Sequence, residues 1–152
     1  LRAEKGYIVV GQETDGTVTP IDLNYNWMIG KNKKDFIGKR SLSRPDTRRN
    51  DRKQLVGLSP VNKSDKIEEG QHIVEINKLP KKIIDPIKYL GHVSSSYHSP
   101  NLKQSIGLAM IKGGNNLIGQ KFFVTASGKT QNIPVEVVNP VFIDPENKRL
   151  TS

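Results

Sequence analysis

The chain has 152 residues, a formal net charge of +9 at pH 7, 34% hydrophobic residues and no cysteine. That length supports one domain, or one small domain with a piece of another. The composition excludes disulfides and thiolate metal sites, and no apolar run approaches the about 20 residues of a membrane-spanning helix. No signal peptide is visible, and we expect a cytoplasmic protein.

The two ends of the sequence differ in character. Leu1 is not a methionine and stands in the middle of what looks like an element, so we expect a piece of a longer protein. The polar residues 147–152 resemble a true terminus. Residues 2–6 read Arg-Ala-Glu-Lys-Gly and lead into the β-branched run 7–10, which predicts a bend that enters a buried strand.

Residues 19–30 carry the signals of an amphipathic helix. Thr19 is a typical N-cap, a proline follows at the first helical position, and Asp22 supplies the acid of a capping box. Apolar residues then recur at helical spacing up to a terminal glycine. We expect Trp27 to be a packing anchor of this helix, and a shorter helix over 35–42.

Basic residues concentrate between positions 31 and 53. This window holds ten lysines and arginines against three aspartates, which gives it +7 of the net charge. Such a patch is typical of polyanion binding, but it contains a single aromatic residue, Phe36, whereas single-strand binders interleave several. We therefore favour a solvated linker, or a surface that meets an acidic partner, over a nucleic-acid site.

The pattern changes from helical spacing to short strands after residue 52. Residues 44–52 are predicted to be a linker between a first unit, 1–43, and a second, 53–152. Turn signals separate six short strands in the second unit, which predicts a small closed or sandwich-like β domain. The predicted strands are 54–58, 72–76, 90–95, 106–111, 121–125 and 133–138.

Two connections within this β unit have clear signals. The strands 90–95 and 106–111 form a hairpin in which residues 94–99 shape a polar turn. Residues 79–88 are predicted to form a long loop, and 127–129 the tip of another hairpin.

Few residues of this sequence suggest chemistry by themselves. His72, His92 and His98 are spread out, and no third close ligand completes a zinc site. The serines at 94–96 could join His92 in a Ser/His/Asp triad, but no Gly-x-Ser-x-Gly elbow is present. No glycine-rich loop leads into a helix, so a dinucleotide or P-loop site is not predicted. The residues alone predict a basic, β-rich domain with a helical preface and neither catalytic residue nor metal ligand.

Four blocks of the sequence resemble the folate-dependent aminomethyltransferases of the glycine cleavage T-protein type. The blocks are Leu-Arg-Ala-Glu-Lys-Gly at 1–6, with Gly11, Thr19-Pro20 and Trp27 after it, then 35–42, 91–109 and 133–146. The resemblance runs from end to end, and its first and third blocks are family-wide. The sequence of residues 11–20 and the Asp-Pro-Glu run at 144–146 resemble one branch of this family. The members of that branch are subunits of a heterotetrameric flavoenzyme acting on sarcosine.

The resemblance implies a mainly β fold. Residues 53–152 would form the family's small C-terminal antiparallel β-barrel domain. Residues 1–43 would be a short α/β remnant, the tail of the preceding folate-binding domain.

The resemblance also implies a cofactor-binding role for Arg2 and Glu4. The family's arginine at the position of Arg2 contacts tetrahydrofolate, and a guanidinium can fork onto a carboxylate or lie flat against an aromatic ring. As a pair considered alone, Arg2 and Glu4 would lie on one side of an extended segment, where a surface ion pair is the usual outcome. The family's catalytic aspartate lies upstream, so no catalytic residue is expected here. Relatives place a tyrosine near the C-terminus at the folate, and the matching residues 142–145 lack one.

The implied reaction is tetrahydrofolate-linked oxidative demethylation of sarcosine to glycine and 5,10-methylenetetrahydrofolate. FAD, FMN and NAD would be bound elsewhere in the parent assembly, and the partners would be the other subunits and the rest of the chain. The isolated chain would be inactive. A T-protein-type aminomethyltransferase or a dimethylglycine-dehydrogenase-like domain is the alternative, and a non-catalytic basic binding module is a second one.

Overall fold

Six antiparallel strands close into a barrel in the computed structural model, which describes residues 1–79, 86–126 and 131–150. The strands are β1 (Lys53–Pro60), β2 (His72–Val74), β3 (Gly91–Ser99), β4 (Gln104–Lys112), β5 (Lys121–Val124) and β6 (Ile133–Val138). Their order around the barrel is β1-β4-β3-β2-β5-β6, and β6 pairs with β1 to close it. The mainly β fold and the prediction of six short strands are confirmed, and the closed arrangement is the one that forms.

The other regular elements are 3-10 helices, and no α-helix is present within the described residues. They are Ala3–Lys5, Asn26–Met28, Ser41–Ser43, Gly114–Leu117 and Lys148–Leu150. None of the helices in the described ranges could cross a membrane. The loop predicted at 79–88 lies partly outside the described residues, and the hairpin tip predicted at 127–129 lies wholly outside them.

Alternating side chains fill the barrel, as the period of two along a strand requires. Strand β6 shows this directly, because every second residue from Ile133 onward is buried. The core inside the barrel contains Val56, Leu58, Ile67, Ile73, Leu90, Val93, Ala109, Ile111, Phe122, Val124, Ile133, Val135 and Val137.

Strands β1 and β4 are buried on both faces. Leu55 of β1 and Leu108 and Met110 of β4 form a second cluster with Leu23 on the outside of the barrel wall. The side chains that pack against this cluster come from both ends of the chain and are Ile8, Val18, Tyr25 and Phe142. The terminal segments therefore cover this wall, which explains why β4 reads as a nearly continuous apolar run.

The helix predicted to begin at Thr19 is wrong. Its capping-box contacts do form, since the Thr19 N–H donates to Asp22 Oδ2 at 2.8 Å and the Asp22 N–H lies 3.4 Å from Thr19 Oγ1. The chain then leaves helical geometry at Asn24, which has a φ of 63°. The Asn24 amide donates to the Leu55 carbonyl at 2.9 Å. Contacts with the barrel thus override the local helix signal.

Three further predictions for the first unit are wrong. The run 7–10 forms only an isolated bridge between Val10 and Thr14. The shorter helix is reduced to the 3-10 turn Ser41–Ser43. Trp27 is 74% exposed and meets Tyr25 edge-on, so it does not anchor a core within the described residues.

The turn predicted at 94–99 is also wrong, because these residues continue strand β3 up to Ser99. The reversal occurs at residues 100–103, where Lys103 has a φ of 54°. Strand β3 instead contains a β-bulge, at which its register to β4 shifts between Val93 and Ser95. A bulge redirects the side chains around it.

Candidate functional site

Arg2 lies beside strand β3, to which several contacts fix it. Its Nη2 is 3.2 Å from Ser95 Oγ and 3.3 Å from the Tyr97 hydroxyl, and its Nη1 donates to the Tyr7 carbonyl. The guanidinium carbon is 5.4 Å from the centroid of the Tyr97 ring, which is within cation–π range. These contacts hold the planar cation in one orientation.

Glu13 is a buried carboxylate next to this cation. Its side chain has no exposed surface, and its Oε2 lies 3.7 Å from Arg2 Nη1. The Val9 N–H donates to Oε2 at 2.7 Å, and Ser94 Oγ donates to Oε1 at 2.9 Å. Ser95 Oγ also donates to Oε1. The charge of Glu13 is therefore compensated by hydrogen bonds and by Arg2, as a buried carboxylate requires.

Glu4 is a second buried carboxylate, and the surface ion pair with Arg2 is not what forms. The segment is a 3-10 turn rather than extended, and the structure pairs Arg2 with Glu13 instead. Ser99 Oγ donates to Glu4 Oε1, and Asn101 Nδ2 lies 3.0 and 3.2 Å from the two carboxylate oxygens. Glu4 thus fastens the N-terminal turn to the β3–β4 connection. Its role as a cofactor contact stays a prediction.

The C-terminal segment closes this region from the other side. The N–H groups of Phe142 and Ile143 donate to the Glu4 carbonyl at 2.9 and 3.0 Å. Phe142 lies in the stretch 142–145, where the relatives' tyrosine was expected, and its ring packs against the outer apolar cluster. Ile143 lines the site instead.

A cavity of about 380 Å³ opens beside Arg2. Its wall is mainly apolar, with cationic groups, one amide and one carboxylate among the side chains, and the lining residues are Leu1, Arg2, Lys5, Tyr7, Asn101, Ile143, Asp144 and Arg149. Lys5 is paired with Asp144 at 3.3 Å. A volume of this size and a mixed wall are typical of a site that takes part of a small organic ligand.

Glu4 should control part of the acid sensitivity of the fold. Hydrogen bonds from Ser99 and Asn101 hold the pKa of Glu4 below its ordinary value of 4.5. A lowered pKa contributes stability that is present above the unfolded value and is lost as the pH falls through the folded value. We expect Glu4→Gln to be less stable than wild type at neutral pH, and its free energy of unfolding to fall less steeply below about pH 4.5.

Denaturant unfolding between about pH 3 and about pH 7 measures this difference. The matched control is Glu75→Gln, which changes an exposed glutamate and should follow the wild-type curve. A Glu4→Gln curve parallel to wild type would contradict the prediction.

The serine–histidine triad is not assembled among the described residues. The first two serines of 94–96 bond to Glu13, and Ser96 Oγ donates to the Ile67 carbonyl at 2.5 Å. His92 stands opposite His72 on neighbouring strands, and burial, with the charges of Lys53 and His72, lowers the pKa of His92. Within the described part of the chain, no cluster of three or more metal-ligating side chains is found.

Two arginines of the basic window form ion pairs with aspartates of this chain. Arg52 forks onto Asp22, with Nε 2.9 Å from Oδ1 and Nη2 2.8 Å from Oδ2. Burial alone would raise the pKa of Asp22, but donors on Arg52 and Thr19 outweigh it, and the pKa is lowered. Arg49 pairs with Asp51 at 2.6 Å on the surface. The window is thus partly a structural element, since Arg52 fastens it to the first unit.

The barrel residues match a known protein family. Residues 53–144 match the glycine cleavage T-protein C-terminal barrel domain. This chain belongs to that family, and the resemblance drawn from the sequence is confirmed.

Relatives match the first unit as well as the barrel. The chain is 45% identical over 98% of its length to the sarcosine oxidase subunit alpha of Corynebacterium sp. (strain U-96). The corresponding subunit of Rhizobium meliloti (strain 1021) is 36% identical over 99% of the chain. An aminomethyltransferase of Clostridium botulinum (strain Loch Maree / Type A3) is 31% identical over 85% of this chain and 32% of its own. The chain spans 15% of the length of each of these two sarcosine oxidase subunits.

A solved structure shares the fold. The glycine cleavage system aminomethyltransferase T from Bartonella henselae superposes with a TM-score of 0.75, over 95% of this chain and 37% of that protein. Its sequence identity is 22%, so this likeness concerns the fold.

Three residues around Arg2 were not among the predicted site residues: Glu13, Ser95 and Tyr97. Glu13 lies between the predicted run 7–10 and the predicted helix 19–30. Ser95 and Tyr97 belong to a stretch predicted as a strand end and a turn. The sequence feature that could have pointed to Glu13 is its position in the stretch 11–20, which follows the block that contains Arg2.

Proposed function

We propose that this chain contributes to the tetrahydrofolate site of a sarcosine oxidase alpha subunit. The observation that carries the proposal is Arg2, the arginine of the family block, held against Tyr97 at the wall of a cavity. The 45% identity to a sarcosine oxidase alpha subunit over 98% of the chain supports it. The 31% identity to an aminomethyltransferase supports the alternative assignment less strongly.

The residues present fit such a ligand. Tetrahydrofolate combines flat rings, amide groups and carboxylates, and the cavity wall offers a guanidinium, an amide and apolar surface. Arg2, Tyr7 and Asn101 would hold it. When bound, tetrahydrofolate would accept the one-carbon unit at the formaldehyde level, after a flavin outside this chain had removed two electrons from the N-methyl group of sarcosine, and the products would be glycine and 5,10-methylenetetrahydrofolate.

The contribution of this chain is binding and orientation. The guanidinium of Arg2 has cationic N–H donors and a flat face. The donors suit an anionic partner, and the face suits a planar one. The two buried carboxylates, Glu4 and Glu13, are occupied by hydrogen bonds from serine and asparagine side chains. They therefore serve the shape of the site, a contact of Glu4 with the cofactor stays a prediction, and the acid of the reaction is assigned to a region upstream.

The remaining components are assigned to the longer protein and its assembly. We propose that FAD, FMN and NAD bind outside this chain, that the other subunits of a heterotetramer are its partners, and that the chain alone is inactive. Residues 1–43 would belong to the folate-binding domain and 53–152 to the barrel domain. A cytoplasmic location stays a prediction.

The test is folate affinity of the full-length protein with its partner subunits. We expect Arg2→Ala to weaken tetrahydrofolate binding at least about tenfold, because the charge-assisted hydrogen bonds and the stacking face are lost together. Arg2→Lys should recover part of the affinity, since it restores the charge without the fork. Isothermal titration calorimetry measures both.

The matched control is Arg48→Ala, which removes an exposed arginine of the same chain. Its affinity should equal that of wild type. Equal affinities for Arg2→Ala and Arg48→Ala would refute the proposal.

A further inference from the structure

Two consecutive serines of strand β3 bond to the same oxygen atom. Ser94 Oγ and Ser95 Oγ both donate to Oε1 of Glu13. Consecutive side chains of a regular strand point to opposite faces of the sheet, so two such serines would not meet at one atom. The bulge between Val93 and Ser95 supplies the local rotation that brings them together.

Ser95 connects the buried carboxylate to Arg2. Its hydroxyl has one proton and two acceptor lone pairs. Two acceptors are within reach of the proton, and it goes to Glu13, which is closer and charged, rather than to Gln12 Oε1 at 3.2 Å. The oxygen is then left to accept from Arg2 Nη2 at 3.2 Å. Glu13 thereby fixes which way the Ser95 hydroxyl points, and the hydroxyl in turn fixes one edge of the guanidinium.

Glu13 also acts on Arg2 directly. Its second oxygen lies 3.7 Å from Nη1, while the first is occupied by the two serines. The Glu13 side chain is fully buried, where an uncompensated charge would be costly, so the carboxylate and the cation stabilise each other's position. Two edges of the guanidinium are thus set by Glu13, one through space and one through Ser95.

We infer that Glu13, acting with Ser95 at the β-bulge, is a positioning residue that fixes the orientation of the Arg2 guanidinium at the cavity. The inference rests on the proposed function to the extent that Arg2 is the folate contact. The orientation itself does not depend on any ligand, and it can be measured separately.

The first measurement is tetrahydrofolate affinity of the full-length protein with its partner subunits. Glu13→Gln keeps the shape of the side chain and removes its charge, and Ser95→Ala removes only the connecting hydroxyl. Each should weaken binding about tenfold, which corresponds to about 1.4 kcal/mol. Ser96→Ala is the matched control, since that neighbouring hydroxyl bonds to the Ile67 carbonyl and not to Glu13.

A double variant separates positioning from a general structural effect. If Glu13 acts through Arg2, Glu13→Gln should add nothing further to the loss caused by Arg2→Ala. Additive losses, or equal losses for Ser95→Ala and Ser96→Ala, would overturn the inference.

Crystal structures of the variants supply the readout without folate. The guanidinium should leave the Tyr97 ring in Glu13→Gln and in Ser95→Ala, and should stay there in Ser96→Ala. If wild type binds no folate, the proposed function fails, and a displaced Arg2 still supports positioning. An Arg2 that stays on Tyr97 in both test variants overturns the inference whatever the folate result.

Discussion

Replacing Asp22 by asparagine is expected to lower the free energy of unfolding by about 3 kcal/mol, because it leaves a largely buried arginine with only the exposed Asp46 as a counter-charge. The side chains of Asp22 and Arg52 are 2% and 16% exposed. The carboxylate takes the fork of Arg52 and also the N–H of Thr19. One substitution therefore breaks the charged fork between the basic window and the first unit, and the single remaining oxygen must serve both Arg52 and the turn at Thr19.

The control for this prediction is a pair in the same window. Asp51 and Arg49 are 64% and 56% exposed, and Asp51→Asn should leave stability unchanged within error. Denaturant unfolding of both variants under one set of conditions provides the comparison. Equal stability of the two variants would show that the Asp22–Arg52 pair contributes no more than a surface ion pair.

Gly91→Ala should lower the free energy of unfolding strongly, because the added methyl group has no room between two strands. A Cβ at this position would lie 2.0 Å from the Met110 carbonyl oxygen and 2.9 Å from the Ile111 Cα, both of which are backbone atoms of β4. Gly91 pairs with Ile111 on one side and with Ile73 on the other. A backbone shift that relieves the clash must weaken the pairing of β3 with both β2 and β4. We therefore expect the free energy of unfolding to fall by more than about 3 kcal/mol.

Gly16→Ala is the matched control, because a Cβ there meets nothing within 4 Å. Thermal unfolding followed by circular dichroism distinguishes the two variants. A Gly91→Ala protein as stable as Gly16→Ala would mean that β3 and β4 approach each other less closely than the structure shows.

The strands were predictable because their signals are local. The alternation of Ile133, Val135 and Val137 indicates one buried face without knowledge of any other strand. The prediction of the N-terminal helix was wrong because a contact between distant residues decides the backbone there. Its capping signal is real, but the bond from Asn24 to Leu55 joins residues 31 apart and takes the backbone elsewhere. Such a contact leaves no trace in a short window of sequence.

Of the residues around Arg2, the sequence predicts Arg2 itself but not the side chains that hold it. Arg2 stands in a block that the family resemblance identifies, whereas Ser95 and Tyr97 reach it across 93 and 95 residues. Glu13 depends in addition on a bulge, which is a register shift between two strands and not a property of composition. Motif reasoning therefore finds Arg2, the proposed folate contact, and only the fold reveals what holds it.

The two hydrogen bonds that the Glu4 carbonyl accepts from the C-terminal segment have a consequence for the order of folding. It joins residue 4 to residues 142 and 143, so nearly the whole chain lies between the two halves of one contact. Closing so long a loop costs less chain entropy once the intervening barrel has formed and shortened the effective distance. We expect the hairpin of β3 and β4 to form early and the junction of the two ends to form last. The wall around Arg2 would then be the final part of the molecule to assemble.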